Sequence, residues 1–356
     1  MNPSPTNSDG TQSLLNQSSN NLISVSDTEV AILTSKLTTV VLPVFYIIVF
    51  AVGLPTNAMA ICVFIFRTKK KHPTAIYMAN LAVSDLLFVI WIPLKISYHF
   101  NENNWVHGED LCKVLAAFFY GNIYCSVLFI TCISVQRYFA VIYPMSDYNK
   151  NSKIAFAVSV TVWVVMCLVT IPLFLYDQTV EIINPRITTC HDVTKPQHIK
   201  IASGFFMSMA IFTFTIPTVI SIIAYVLILH GLKNSTFDES VRQKRQKTVY
   251  LIIVVLVMFL LCFAPSNIML LVMYGLLLNG QENTAYGIYI STLFLASLNC
   301  CVDPFVYYFI SEEFRDHVRN ILICRSVRTA ERMRVSFTAL KMTQRSKRNT
   351  SRSNNK

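Results

Sequence analysis

The chain has 356 residues, of which 53% are hydrophobic and only 14% charged; that balance excludes an ordinary soluble domain and points to a polytopic membrane protein. Its formal net charge of +11 does not argue for a nucleic-acid partner, because the basic residues sit in short connections between apolar runs and in the carboxyl-terminal tail, where membrane orientation accounts for them. Of the 10 cysteines, Cys62, Cys125, Cys132, Cys167, Cys262, Cys300 and Cys301 fall inside apolar runs and read as small hydrophobes rather than as a disulfide framework or a metal site.

Residues 1–36 are rich in Asn, Ser and Thr, hold no Lys or Arg before Lys36 and show no periodic apolar pattern, which predicts a disordered extracellular tail. A basic n-region with an apolar core is missing, so the first span is expected to direct its own insertion. Asn16-Gln17-Ser18 is a glycosylation acceptor that an outside tail would expose.

Seven intervals free or nearly free of charge follow, at residues 37–66, 72–94, 114–136, 154–176, 201–232, 248–281 and 283–308. Each reaches the roughly 20 residues that a membrane-crossing helix needs, and none alternates like an outer-membrane strand. The predicted fold is an all-α membrane protein: a seven-transmembrane helix bundle over residues 37–310, a short amphipathic eighth helix over 311–324 and a cytoplasmic tail over 325–356. Lys and Arg concentrate in the first, third and fifth connections and after the seventh span, which places the amino terminus outside and the carboxyl terminus inside at the plasma membrane. Cys112 then opens the third span on the outer face, and Arg137 closes it on the inner face.

Ionisable and amide side chains inside lipid are expensive and read as functional. Asn57, Asp85, Asn122, Ser126 and Asp303 are the candidates here, either as ligands to water or a small cation or as a structural polar network that sets helix register. Pro43, Pro55, Pro93, Pro172, Pro217, Pro265 and Pro304 each remove a backbone donor and predict kinks. After the seventh span, Phe314, Val318, Ile321 and Leu322 share one face at helical spacing, a pattern for a helix lying on lipid and ended by a palmitoylation candidate, Cys324.

These residues also carry a family resemblance. Asn57, Leu81-Ala82 with Asp85, Arg137-Tyr138, Trp163, Pro217 with Tyr225, Phe263 with Pro265, and Asp303-Pro304 with Tyr307, in this order and at these depths, resemble the rhodopsin-like G-protein-coupled receptors. The likeness runs over about residues 37–324. Two positions depart from the general pattern: Gln136 stands where an acid usually precedes the arginine, and Phe263 where tryptophan is commoner. Cys190-His191-Asp192-Val193, with the stretches 66–73, 103–105, 117–122 and 324–329, resembles the proteinase-activated receptors, in their trypsin-sensitive branch.

The resemblance implies a disulfide between Cys112 and Cys190, and a tail cut by an extracellular serine protease so that its new amino terminus folds back as a tethered peptide agonist. It implies a receiving surface at His191 and Asp192, with Tyr98, His99, Tyr286 and Tyr289 at the outer helix ends; as amphipathic residues the tyrosines fit an interfacial belt equally well. It further implies rearrangement of Arg137, Tyr225, Phe263, Pro265 and Tyr307 when a heterotrimeric G protein, of the Gq class, docks on the inner face, with Pro144 and Met145 as an apolar contact. Receptor kinases and arrestin are the expected partners of the Ser- and Thr-bearing tail, and membrane lipid that of the basic segments. The tail departs from the family where activation is concerned, since no Lys or Arg precedes Lys36. Three readings stay open: an alternative or incomplete amino terminus, a protease of another class, or activation without cleavage. A transporter or channel would carry internal repeats, and an enzyme a nucleophile elbow, a metal motif or a catalytic constellation; the expectation is no enzyme, no cofactor and no metal. Within receptors, the alternative is one for a diffusible peptide or small molecule.

Overall fold

The computed structural model describes residues 22–23, 25–67, 72–143, 146, 151–233, 239–281, 284–311, 314–316 and 318–320, and of 22, 66–67, 239–249, 251–252 and 309–310 the backbone alone. The chain divides into two units, Met1–Ile310 and Ser311–Lys356.

Among the described residues of the first unit, seven helices are long and apolar enough to cross a membrane: Asp27–Ile65, Pro73–Phe100, Glu109–Ile142, Ser152–Leu175, Pro196–Lys233, Ile253–Leu278 and Tyr286–Tyr308. Helices satisfy every backbone group internally, which lipid demands. Their outward faces carry Phe156, Leu168, Phe212, Val226, Leu261 and Ile288, all exposed, as a lipid-facing surface requires. The third span is the axis of the bundle, packed against the second, fourth and fifth. Of its apolar window 67% is buried, against 22% for the fourth span at the periphery.

Proline and glycine shape the spans. The seventh breaks between Tyr286–Ser297 and Asn299–Ile310, ahead of Pro304. Pro304 has no N–H for the Cys300 carbonyl, and Asn57 Nδ2 in the first span donates to that carbonyl at 2.8 Å. The fifth span passes through a π-helical turn, Ala210–Thr215, just before Pro217. At the inner end, a methyl on Gly231 would stand 2.3 Å from Ile142 Cδ1, so a side chain there would push the Ile142 side chain aside where the third and fifth spans meet.

Two outer elements differ from the expectations. In the tail, strand β1, Leu22–Ile23, is followed by a tail helix, Asp27–Leu33, that runs through to the first span. Ser26 starts that helix with a capping box, its Oγ accepting from the Glu29 N–H at 3.3 Å while Glu29 Oε2 accepts from the Ser26 N–H, the reciprocal bonding that ends a helix cleanly. The disordered tail expected over residues 1–36 is therefore corrected for residues 25–35. The second outer loop folds as a hairpin of β2, Thr179–Ile182, and β3, Ile187–Cys190. The sheet order is β1-β2-β3, with β1 parallel to β2 and the hairpin antiparallel.

In the second unit, residues 314–316 and 318–320 are helical, and Ser311 Oγ accepts from the Phe314 N–H at 3.2 Å. The remainder of the expected eighth helix, including Ile321, Leu322 and Cys324, lies outside the described residues, as do Asn16 in the tail and Pro144 and Met145 after the third span.

Candidate functional site

The outer end of the bundle holds a cavity of about 210 Å³. Its roof is the end of the hairpin. Cys190 is joined to Cys112 at the start of the third span, with Cα atoms 5.7 Å apart, and the bridge is buried among Tyr98, Trp105 and Leu115. One helical turn earlier, Glu109 accepts from the Gln178 N–H at 2.6 Å and the Thr179 N–H at 2.9 Å, and also from the Thr179 hydroxyl. Charge-assisted bonds of this kind are about twice as strong as neutral ones. On the far edge of β3, Asn104 Oδ1 accepts from the Thr188 N–H at 3.0 Å, and the Trp105 N–H donates to the Thr188 carbonyl at 2.7 Å.

His191 follows the disulfide with a φ of 65°. The turn sends its ring down toward the third and seventh spans, where its Nε2 lies 2.9 Å from the Tyr120 hydroxyl, itself 2.9 Å from that of Tyr289. Its Nδ1 is 2.6 Å from Gln178 Oε1. With the ring neutral, Nδ1–H donates to Gln178 and Nε2 accepts from Tyr120. Burial holds the imidazole at about 4, below its ordinary range; Asp192 opposes the shift and Lys95 adds to it. Asp192 accepts from the Tyr98 hydroxyl. Beside the roof, Asp177 and Lys195 pair at 2.9 Å, and the bond to Lys195 lowers the Asp177 carboxyl from its usual range.

Of the six residues expected on the receiving surface, His99, His191, Asp192, Tyr286 and Tyr289 line the cavity, and Tyr98 reaches it through Asp192. The structure thus brings these side chains together in the bundle interior. All three tyrosines are buried, so the lipid-interface alternative does not describe them. Sequence reasoning missed Tyr46, Lys95, Tyr120 and Tyr274 in the cavity wall: each lies inside or beside an apolar run, with no spacing to mark it. It also missed Glu109, whose acidic position beside Cys112 was the available signal.

Deeper in the bundle, Asn122 Nδ2 donates to Asp85 Oδ1 at 2.9 Å and Asn299 Nδ2 to Asp303 Oδ2 at 2.6 Å. The Cys300 thiol lies 3.9 Å from Asn122 Oδ1. Ser126 is buried close by, one turn along from Asn122, with no bonded partner for its hydroxyl. Among the described residues, no group of three or more His, Cys, Asp or Glu is placed to hold a metal ion.

Toward the inner face, Ser134 Oγ donates to the Tyr225 hydroxyl at 2.9 Å. Gln136 is buried. Phe263 is fully buried against Phe259, and its carbonyl accepts from Ser266 Oγ at 2.9 Å and Asn267 Nδ2 at 3.0 Å, two side-chain bonds just around Pro265. Tyr307 is buried edge-on to Phe64, ring centroids 5.5 Å apart.

A seven-helix bundle with an outer cavity roofed by a disulfide-pinned hairpin defines a membrane receptor, and residues 56–307 match the 7 transmembrane receptor (rhodopsin family). Over 325 residues, covering 91% of this chain and 81% of the relative, it is 53% identical to proteinase-activated receptor 2 of Mus musculus. The Homo sapiens protein of that name is 51% identical over 327 residues, 91% of this chain and 82% of its own length. Proteinase-activated receptor 1 of Xenopus laevis is 37% identical over 297 residues, 83% and 70% of the two chains. The chain belongs to the proteinase-activated receptors of the rhodopsin family.

Proposed function

We propose that this chain is a G-protein-coupled receptor whose agonist is a short peptide, presented as the new amino terminus of its own tail after cleavage by an extracellular serine protease. Signalling then runs through a heterotrimeric G protein of the Gq class to cytosolic calcium. The observation that carries this reading is the outer cavity with Asp192 in its roof, a fixed carboxylate suited to a peptide ammonium. A tether supplies a high effective concentration, so each contact need only be modest.

In this reading His99, His191, Asp192, Tyr286 and Tyr289 face the peptide, with Tyr98 holding Asp192. The Asn57, Asp85, Asn122, Ser126 and Asp303 cluster couples the outer site to the inner face, where Arg137, Tyr225, Phe263, Pro265 and Tyr307 rearrange. The choice of Gq rests on the family resemblance alone. Glycosylation at Asn16, palmitoylation at Cys324, kinase and arrestin recruitment by the tail and lipid contact by its basic residues belong to the same proposal. Because residues 1–35 contain no Lys or Arg, a second reading has support: a diffusible peptide acting on the same cavity without cleavage.

Cytosolic calcium in cells without related receptors tests the peptide cavity that both readings share. Trypsin and a synthetic peptide beginning Ser-Leu-Ile-Gly are applied separately to the surface-expressed chain. The expected result is a response to the peptide and none to trypsin. Silence to both, with the chain confirmed at the surface, overturns the peptide-agonist reading.

A further inference from the structure

The tail segment ahead of the first span is built into the cavity. Ile23, Val25, Ser26 and Glu29 line it together with Tyr46 and Tyr286. The segment is held at both ends. At its start, β1 pairs with β2, Leu22 beside Glu181 and Ile23 beside Ile182, and the Ile183 N–H donates to the Ile23 carbonyl at 3.3 Å. At its end, Asn103 Nδ2 donates to the Leu33 carbonyl at 2.6 Å and to Thr38 Oγ1 at 3.0 Å, and Thr38 Oγ1 donates on to the Leu33 carbonyl at 3.0 Å. Asn103 is itself set by His99, Nδ1 to Oδ1 2.6 Å, and takes a φ of 60°, a left-handed conformation that Asn tolerates better than most residues.

Between the two ends, the tail helix lies on the outer end of the seventh span. A methyl added at Gly287 would stand 3.0 Å from Ile32 Cδ1, tighter than ordinary van der Waals contact, so a side chain at 287 would press on the seat of the tail helix. Leu33 is only 1% exposed. A passive leash would need none of these contacts.

We propose that Ile23 and residues 25–33 form a fixed wall of the peptide cavity, so that the tail reads the ligand as well as carrying it, with Ile23, Val25 and Glu29 as specificity-determining side chains. This rests on the peptide-agonist reading above for the identity of the ligand, not for the wall itself. Since β1 runs parallel to β2, the chain enters the sheet from the side of Thr179, whose partner Cys190 precedes His191 and Asp192. The wall therefore begins beside the roof and closes the cavity between the hairpin and the seventh span.

The test uses three full-length receptors: the natural chain, Gly287→Ala, and Gly287→Ala with Ile32→Val, which removes the methyl that the alanine would strike. Hydrogen–deuterium exchange at residues 27–35 of the purified receptors reads the wall. The half-maximal concentration of the Ser-Leu-Ile-Gly peptide in the calcium assay, at matched surface levels, reads its consequence. Expected are protected amides in the natural chain, exchange at least fivefold faster and potency about 5- to 20-fold weaker in Gly287→Ala, and both restored to within twofold in the double variant. Unprotected amides in the natural chain overturn the proposal, as does an unchanged potency in Gly287→Ala once its tail helix has loosened. If the natural chain is silent to the peptide while exchange behaves as expected, the peptide reading falls and the wall stands.

Discussion

The outer vestibule and the polar cluster midway through the bundle are both buried and both rich in hydrogen-bonding groups, yet they are finished differently. In the vestibule, Glu109 holds two amides and a hydroxyl, Asn103 bridges His99 to Leu33 and Thr38, and His191 is bonded at both ring nitrogens. In the cluster, Asn57 Oδ1, Asp85 Oδ2, Ser126 Oγ, Asn299 Oδ1 and Asp303 Oδ1 are buried without a bonded partner, whereas the unpaired atoms of the vestibule, His99 Nε2 and the Tyr286 hydroxyl, stand in the cavity wall and not in the roof. Networks whose bonds are all made fix one arrangement, and the roof with its attachments is of that kind. The difference teaches where this receptor is stiff and where it has room to rearrange.

The largest break in that contrast should come from Cys112→Ser. Losing the bridge releases the roof from the third span and is expected to cost about 2–5 kcal/mol, seen as a lower Tm of the purified receptor and a loss of peptide response of tenfold or more. Glu109→Ala should follow. It leaves two partly buried N–H groups of the hairpin without their carboxylate, at about 1 kcal/mol each, and faster amide exchange confined to residues 177–190 is the signature to look for. In the other region, Asn57→Ala strips the Cys300 carbonyl of its donor beside Pro304. A loss of about 1–2 kcal/mol in Tm measurements, with amide exchange across residues 177–190 unchanged, would sharpen the division between the two regions; faster exchange there would erase it.

The smallest effect is on pH. The folded-state pKa of His191 lies below the ordinary histidine value, at about 4, so the unfolded chain binds the proton more readily. The contribution to stability is complete above about pH 6.5 and is lost as pH falls from there toward 4. The ring is only partly shielded from the cavity, so a change on the order of 1 kcal/mol is expected on acidification to pH 5. A Tm series from pH 7.5 to 5 should flatten in His191→Gln.

The sequence reveals the bundle because lipid imposes a simple rule: a crossing helix must be long and nearly uncharged, so counting charge-free intervals counts spans. It reveals much of the vestibule for a different reason, since Cys190-His191-Asp192 and Cys112 carry a family pattern. The tail helix went unread although Ser26 and Glu29 already spelled a capping box; its weak apolar pattern relies on contacts with Asn103 and Gly287, far away in the chain. The hairpin was equally missed, its Thr179–Ile182 and Ile187–Cys190 strands being rich in β-branched residues but only four residues each. Glu109 and Asn103 act on backbone groups of distant segments, a relation that no local spacing encodes.

Glu109 and Cys112 attach the hairpin to the third span at two points one helical turn apart. A single attachment is a swivel; two make a bracket. Hairpin and helix must therefore turn together, and at about 1.5 Å per residue Arg137 lies about 38 Å below Cys112 along that helix. Over such an arm a tilt of about 5° at the roof becomes about 3 Å of travel at the inner membrane face, mechanical amplification that owes nothing to any change in the helix itself.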